Sequence, residues 1–241
     1  MSDAVVVAVD VGSTSARAGV FDASGARLAR AEHGFGVTRP LPDHAEHSSE
    51  EIWRAVCAAT RSALVASAVG PERVAGLAFD ATCSLAVFDA RGAPVTVSTT
   101  GRDECNVVMW ADHRAIAEAE EITRTGHPVL DYVGGTMSPE MELPKLLWLK
   151  RHLPQSWSRC GLALDLTDFL TWRAAYNNFV KCGHSAADKK ECVAGWERDA
   201  AKFIDDAHRE YVREAADYYL TTRLRSSPEE QQKNCNPLKA S

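Results

Sequence analysis

The run Ala4-Val5-Val6-Val7-Ala8-Val9-Asp10 sets the terms for everything around it. A nearly unbroken apolar segment of this length reads as a strand covered on both faces, and it ends in an acid. Past Val11-Gly12-Ser13-Thr14-Ser15 a second strand runs from Ala16 to Phe21, and the turn Asp22-Ala23-Ser24-Gly25 leads into a third strand near Arg27. Two consecutive hairpins are expected, with a carboxylate at the first bend. Ser48 and Glu51 stand at capping-box spacing. Ile52, Val56, Ala59 and Ala63 follow at helical intervals until Gly70-Pro71 stops the helix, which should pack on the sheet. Val74 to Asp80 reads as another buried strand ending in an acid, and Ser84 to Phe88 as a further strand closed by Asp89-Ala90-Arg91-Gly92. The segments Val20-Phe21-Asp22-Ala23-Ser24-Gly25-Ala26 and Val87-Phe88-Asp89-Ala90-Arg91-Gly92-Ala93 echo one another. A single echo without a period is one hairpin turn used twice, not a solenoid.

Helical periodicity resumes over Asp112 to Arg124 and over Pro144 to Leu153, so strands and helices mix as they do in an α/β domain. Residues 1–175 form that body. At Tyr176 the composition changes: Lys145 and Lys150 are the only lysines before it, whereas Lys181, Lys189, Lys190, Lys202, Lys233 and Lys239 follow. Residues 176–241 are therefore read as a separate helical tail, either a polar surface domain or a segment of different origin. In it Trp196, Ala200, Phe203, Ala207, Tyr211, Ala215 and Tyr218 recur at steps of three or four, the stripe of a long amphipathic helix. Ser226 to Ser241 reads as a disordered end.

Charge narrows the function. Asp and Glu total 33 against 27 Lys and Arg, a formal charge of −6, so the phosphate-neutralising surface of a nucleic-acid binder is not advertised. No stretch approaches the roughly 20 apolar residues that span a bilayer. Met1-Ser2-Asp3 lacks the basic segment and apolar core of a signal peptide, and a cytoplasmic protein without membrane contact is expected. The seven cysteines contain no CxxC pair and suit reduced thiols better than disulfides or a zinc knuckle.

Asp10-Val11-Gly12-Ser13-Thr14-Ser15 brings a carboxylate, a glycine that lets a ligand approach the backbone, and three hydroxyls into one tight bend. Amides and hydroxyls there can donate to phosphoryl oxygens while the acid holds Mg2+ directly or through water, and Arg17 adds a positive charge just beyond. An ordinary polar hairpin would use the same residues. Neither GxxxxGKS nor GxxxxGKT occurs, which excludes a P-loop as the route to phosphate.

Five later blocks accompany that bend: Gly76-Leu77-Ala78-Phe79-Asp80-Ala81-Thr82-Cys83-Ser84-Leu85, Asn106-Val107-Val108-Met109-Trp110-Ala111-Asp112-His113-Arg114, Val133-Gly134-Gly135-Thr136-Met137-Ser138-Pro139-Glu140-Met141-Glu142, Pro144-Lys145-Leu146-Leu147-Trp148-Leu149 and Asp165-Leu166-Thr167-Asp168-Phe169-Leu170-Thr171-Trp172-Arg173-Ala174. In their order and spacing they resemble the FGGY family of carbohydrate kinases, and within it the ribulokinase-like branch that phosphorylates D-ribulose and related pentuloses. The match runs through Ala174, covers most of the family's N-terminal domain, and implies the actin-like, ribonuclease-H-like α/β fold.

The resemblance implies that a small sugar lies in a cleft between two such domains, with this body as the sugar-facing half and a second domain holding MgATP. Asp10, Gly12, Ser13 and Thr14 would face the transferring phosphate, Asp10 near Mg2+ and Arg17 beside them. Positioning and charge neutralisation are what phosphoryl transfer requires there. Asp80, Ala81, Thr82 and Cys83 would form the sugar-contact segment. A nucleophilic Cys83 is not expected, because no histidine is placed to activate it and the reaction needs no covalent enzyme intermediate. Trp110 would cover the apolar face of the sugar, with Asp112 and Arg114 either bonding hydroxyls or bridging one another. Glu142 reads as a ligand contact or, with Lys145, as a charge at a solvated helix end. Asp165 and Asp168 belong to a mainly structural motif, and His113 and His127 read as surface or core residues.

The family's general base, an aspartate late in the N-terminal domain, has no recognisable equivalent. Where the family continues Trp-Arg-Ala-Thr-Gly, this chain has Trp172-Arg173-Ala174-Ala175-Tyr176. A domain to hold ATP is not expected within these 241 residues either. Two functions stand. One is an ATP- and Mg2+-dependent pentulose kinase, a phosphotransferase to an alcohol group, truncated or completed by a separate C-terminal half or a homo-oligomer. The other is a non-catalytic remnant that binds sugar weakly or serves as an interaction module.

Overall fold

The computed structural model describes residues 4–181, with side chains through residue 174. The expected tail helix and the disordered end lie outside these residues. Those through Ala174, apart from His127–Val129, gather in one unit, Met1–Gly126 with Leu130–Ala174, and the elements below belong to it except the far end of the last helix.

The first hairpins form as expected. Strands β1 (Val5–Val11), β2 (Ser15–Asp22) and β3 (Arg27–Gly34) run antiparallel in a meander, with Val9 opposite Ala18 and Arg17 opposite Glu32. The two-residue β4 (Glu46–His47) precedes helix α1 (Ser49–Ser67), and β5 (Val74–Ala81) then returns parallel to β1, giving the order β3-β2-β1-β5. Ser48 caps α1, its hydroxyl accepting from the Glu51 N–H at 3.4 Å. The helix ends three residues before Gly70, at Ser67, because Ala68 turns left-handed (φ 55°) and its N–H bonds the Val65 carbonyl.

Among the described residues β1 is covered on one face only, a departure from the both-faces reading. Val5, Val7, Val9 and Val11 are buried with Ile52, Val56, Ala59 and Ala63 of α1, whereas Val6 on the other face is 48% exposed. Likewise β5 is not a buried strand: among the described residues it pairs only with β1, and Leu77 is 42% exposed. Strand order is a non-local property, and apolar runs do not reveal which strand stands at the edge.

A second sheet, in the order β4-β7-β6-β8, is antiparallel throughout and is built from β4, β6 (Leu85–Phe88), β7 (Val107–Val108) and β8 (Leu162–Asp165). Phe88 stacks on Phe169 at 5.1 Å between centroids and joins this sheet to the same core as β1. Helices α2 (Ile116–Arg124), α3 (Glu142–His152), α4 (Pro154–Arg159) and α5 (Leu166–Lys181) complete the body. α2 starts four residues later than its periodicity implies. α4 is too short to show a period.

The echoed segments are one turn used twice. Asp22 Oδ1 accepts from the Ser24 and Ala26 N–H groups, and Asp89 Oδ1 from those of Arg91 and Ala93. Gly25 and Gly92 follow with φ of 83° and 80°, the left-handed backbone that favours glycine. No helix of the described residues is long and apolar enough to cross a membrane.

Candidate active site

The bend between β1 and β2 is closed by the Gly12 N–H donating to the Ser15 carbonyl at 3.0 Å, and the Phe35 N–H bonds the Thr14 carbonyl at 2.9 Å from outside. Asp10 emerges on the uncovered face of the sheet. There it meets Arg17, whose Nη1 lies 2.8 Å from Asp10 Oδ2. Arg17 also stands 3.5 Å from Glu32, which accepts from the Ser15 hydroxyl at 2.7 Å and from Arg30 at 2.8 Å. The Asp10 hydrogen bond, reinforced by the Glu32 charge, raises the Arg17 pKa further, so its charge is permanent. The Ser15 hydroxyl, with Arg17 and Arg30, holds the Glu32 carboxyl below its usual range.

Asp10 stands directly opposite Asp80 in the parallel β1–β5 register. Both acids, with Arg17, Phe21, Arg27, Arg30 and Phe79, line a cavity of about 330 Å³ on the open face. Parallel strands leave their carboxyl ends together, and here those ends carry the acids.

Beyond Asp80 the chain stays tied to the bend. The Thr82 N–H donates to the Val11 carbonyl at 3.1 Å, and the Thr82 hydroxyl lies 3.1 Å from that of Ser84. Ser84 accepts from the Trp110 N–H at 3.1 Å, and Trp110 Nε1 donates to Ser13 Oγ at 2.9 Å. Ser13, Thr82, Ser84 and Trp110 thus form one connected group. Cys83 is an exposed free thiol.

Asp112 and Arg114 point inward, and the bridging alternative is the one realised. Both side chains are fully buried. Arg114 donates twice to Asp112 (2.8 Å each), to Glu46 Oε1 at 2.9 Å and to the Val97 carbonyl at 2.6 Å, with the Trp148 ring 4.9 Å from its guanidinium carbon. Asp112 also accepts from the Ala45 N–H at 2.6 Å. With four of its N–H groups bonded to protein acceptors, the Arg114 side chain braces the loop that carries Trp110. Glu46 was not foreseen: its segment, Asp43-His44-Ala45-Glu46-His47, lies outside the blocks that carry the resemblance.

Lys145 is likewise no solvated helix-end charge. It is 1% exposed, and its Nζ donates to the carbonyls of Met109 (2.8 Å), Trp110 (2.9 Å) and Glu140 (2.8 Å). Burial lowers its pKa to about 8. Glu142, one turn earlier, is mostly buried; its Oε1 has no hydrogen-bond partner among the described residues, and burial, with the Asp165 and Asp168 charges, raises its pKa to about 7. It is not among the residues that line the cavity of Asp10. Asp165 accepts from the Thr167 N–H at 2.8 Å at the start of α5. His113 is exposed and lies 3.2 Å from Glu140, and His127 Nδ1 accepts from the Val129 N–H at 3.2 Å.

Among the described residues no three His, Cys, Asp or Glu side chains converge on a metal position. The donor set at the bend still fits Mg2+, which takes one or two carboxylates and fills its shell with water and phosphate oxygens. Asp10 is exposed, and Arg17 engages only its Oδ2.

The model of the FGGY family of carbohydrate kinases, N-terminal domain, matches residues 5–191. The chain belongs to the FGGY family. An FGGY carbohydrate kinase domain-containing protein of Xenopus laevis is 44% identical over 173 residues, 71% of this chain and 31% of that one. D-ribulokinase of Saccharomyces cerevisiae is 45% identical over 171 residues, 70% of this chain and 24% of that one. The xylulose kinase of Rhodospirillum rubrum superposes with a TM-score of 0.59 at 19% identity, over 69% of this chain and 33% of that chain. The fold of this FGGY chain is thus the actin-like, ribonuclease-H-like α/β fold of those kinases. It spans about a third of the length of the curated relatives it matches, or less. Of the residues singled out in this FGGY sequence, the structure gathers Asp10, Arg17 and Asp80 at one cavity and links Ser13 and Thr82 through Trp110 and Ser84. It sets Asp112, Arg114 and Glu142 apart, turned into the protein.

Proposed function

We propose that this chain is the sugar-facing half of a pentulose kinase, with D-ribulose as acceptor and MgATP as phosphoryl donor. The observation that carries the reading is the bend itself. The Asp10 carboxylate stands opposite a second acid, Asp80, at one open cavity, and the closed glycine turn with its two hydroxyls follows Asp10 directly in the chain, so that charge can be neutralised there without a P-loop. The 45% identity to a D-ribulokinase supports the choice of pentulose.

In this reading the Ser13 and Thr14 hydroxyls and the free amides of the bend donate to oxygens of the transferring phosphoryl group. Asp10 would hold Mg2+ directly or through water, and the ion would supply charge neutralisation. Arg17, kept against Asp10, adds a fixed positive charge at the rim. Thr82 and the chain around Cys83 receive the sugar, and Asp80 stands between the two subsites. The family's general base has no recognisable equivalent in the sequence. A chain spanning a third of its relatives therefore needs a second segment, its own or a partner's, for turnover.

The departure from the family's pattern at Ala175-Tyr176 favours one further reading, a non-catalytic sugar-binding remnant. The thermal midpoint of the purified chain against D-ribulose, L-ribulose, D-xylulose and ribitol, with and without MgATP, read together with ATP consumption, tests both readings. A ligand of the folded state at about 100 times its Kd adds about 2.7 kcal/mol of stability. D-ribulose alone should raise the midpoint, without ATP consumption by the isolated chain. ATP consumption would exclude the remnant. No shift with any sugar would overturn the pentulose assignment.

A further inference from the structure

The indole of Trp110 spans 97 positions of sequence to reach the β1–β2 bend, where Nε1 donates to Ser13 Oγ at 2.9 Å. An indole N–H can only donate, whereas a hydroxyl both accepts and donates one proton. Ser13 is therefore the acceptor, and its own proton is directed away from the ring. Trp110 is itself immobilised at its backbone. Its N–H donates to Ser84 and its carbonyl accepts from buried Lys145, which also holds the Met109 and Glu140 carbonyls. The indole is a side chain with two rotatable bonds, and both polar groups of its own peptide are fixed.

We propose that Trp110 is a positioning residue: its indole N–H sets the rotamer of the Ser13 hydroxyl, so that the Ser13 proton is presented to an anionic phosphoryl oxygen at the bend. The loop after β7 and the β1–β2 bend then move as one hydrogen-bonded unit. The phosphoryl identity of the anion rests on the kinase reading above; the coupling of the two segments does not. This role differs from that of a ring laid over a sugar, because it resides in the ring's N–H and would be lost in a phenyl ring of similar shape.

The test uses the full chain and three substitutions. Trp110→Phe keeps an aromatic ring without the donor, Ser13→Ala removes the acceptor, and Ser13→Thr keeps a hydroxyl. The reporters are two amides that close the bend, Gly12 onto Ser15 and Phe35 onto Thr14. Losing one hydrogen bond of ordinary net worth should speed hydrogen exchange at both by about fivefold in either single variant. Because both variants break the same bond, the double variant should exchange no faster than the singles. Ser13→Thr should stay within about twofold of the native chain. Titration with inorganic phosphate and Mg2+ reads the presentation: binding should weaken by about fivefold in Trp110→Phe and Ser13→Ala and recover in Ser13→Thr.

Unchanged exchange at Gly12 and Phe35, multiplied rates in the double variant, or acceleration spread equally over α1 and β6 would overturn the coupling. Phosphate binding that ignores all three substitutions, or is absent from the native chain, would overturn the presentation of the proton. A failed sugar panel with the exchange coupling intact would remove the pentulose and leave the positioning role.

Discussion

Arg114 and Glu46 lie 68 positions apart in the sequence and 2.9 Å apart in the core, both side chains without solvent exposure. Asp112 shares the same guanidinium, so two buried carboxylates depend on one cation. Arg114→Met should destabilise the domain by about 3–5 kcal/mol, the cost of leaving buried charge uncompensated. Arg114→Lys should recover little, since an ammonium cannot reproduce the four directed bonds. Urea denaturation of the three chains checks this; a loss under about 1 kcal/mol in Arg114→Met would mean that the brace is dispensable.

Glu142 makes a signed prediction about pH. Its carboxyl holds a proton up to about pH 7 in the folded chain, against an ordinary value of 4.5. The folded state therefore binds more protons across that window, and stability from this group falls as pH rises through it. Glu142→Gln cannot ionise and should gain, relative to the native chain, on the order of 2–3 kcal/mol between pH 4.5 and 7. His47 pulls the opposite way. Burial, partly offset by the nearby Ser13 backbone, lowers it to about 4, so its stability is complete above pH 6.5 and is lost as pH falls toward 4. The native profile sums both, and the difference between native and Glu142→Gln isolates the first. A flat difference would refute the assignment.

The repeated turn offers an internal control. Gly25 and Gly92 have nearly the same positive φ, but a Cβ on Gly25 meets nothing within 4 Å, whereas one on Gly92 would stand 2.9 Å from the Trp172 ring. Gly25→Ala should cost about 1–2 kcal/mol for the left-handed backbone alone. Gly92→Ala should cost more, by about 1–3 kcal/mol of overpacking. Equal midpoints would show that Trp172 yields without penalty.

Asp10→Asn should separate stability from function. Its ion pair with Arg17 is about half exposed on both sides, and such pairs contribute about 0–1 kcal/mol. The denaturation midpoint should barely move, while Mg2+-dependent phosphate binding by the chain should disappear. Retained binding would move the metal elsewhere.

The features readable in sequence were the local ones. The Ser48 cap, the Asp22 and Asp89 turns and the β1–β2 bend are each written within a handful of residues, and each forms as its chemistry requires. What required the third dimension was partnership. Nothing local to Lys145 announces that it will hold three carbonyls under the Trp110 loop, and a lysine beside a helix start ordinarily faces water. Asp112 and Arg114 could be read as a pair, but Glu46 enters only when β4 pairs with β7. The openness of β1 and β5 escaped for the same reason: apolar runs record what a strand can bury against, not whether a cover is in place.

That openness has a colloidal consequence. Among the described residues the flank of β5 offers unpaired backbone along Val-Ala-Gly-Leu-Ala-Phe, with neither the lysine nor the proline by which exposed strands ordinarily discourage adhesion. The negative net charge holds copies apart only while ionic strength is low enough for repulsion to reach across the solvent between them. Shelf life of the purified chain should thus be governed by salt and concentration before heat, with turbidity rising in strong brine at temperatures where each molecule is still folded.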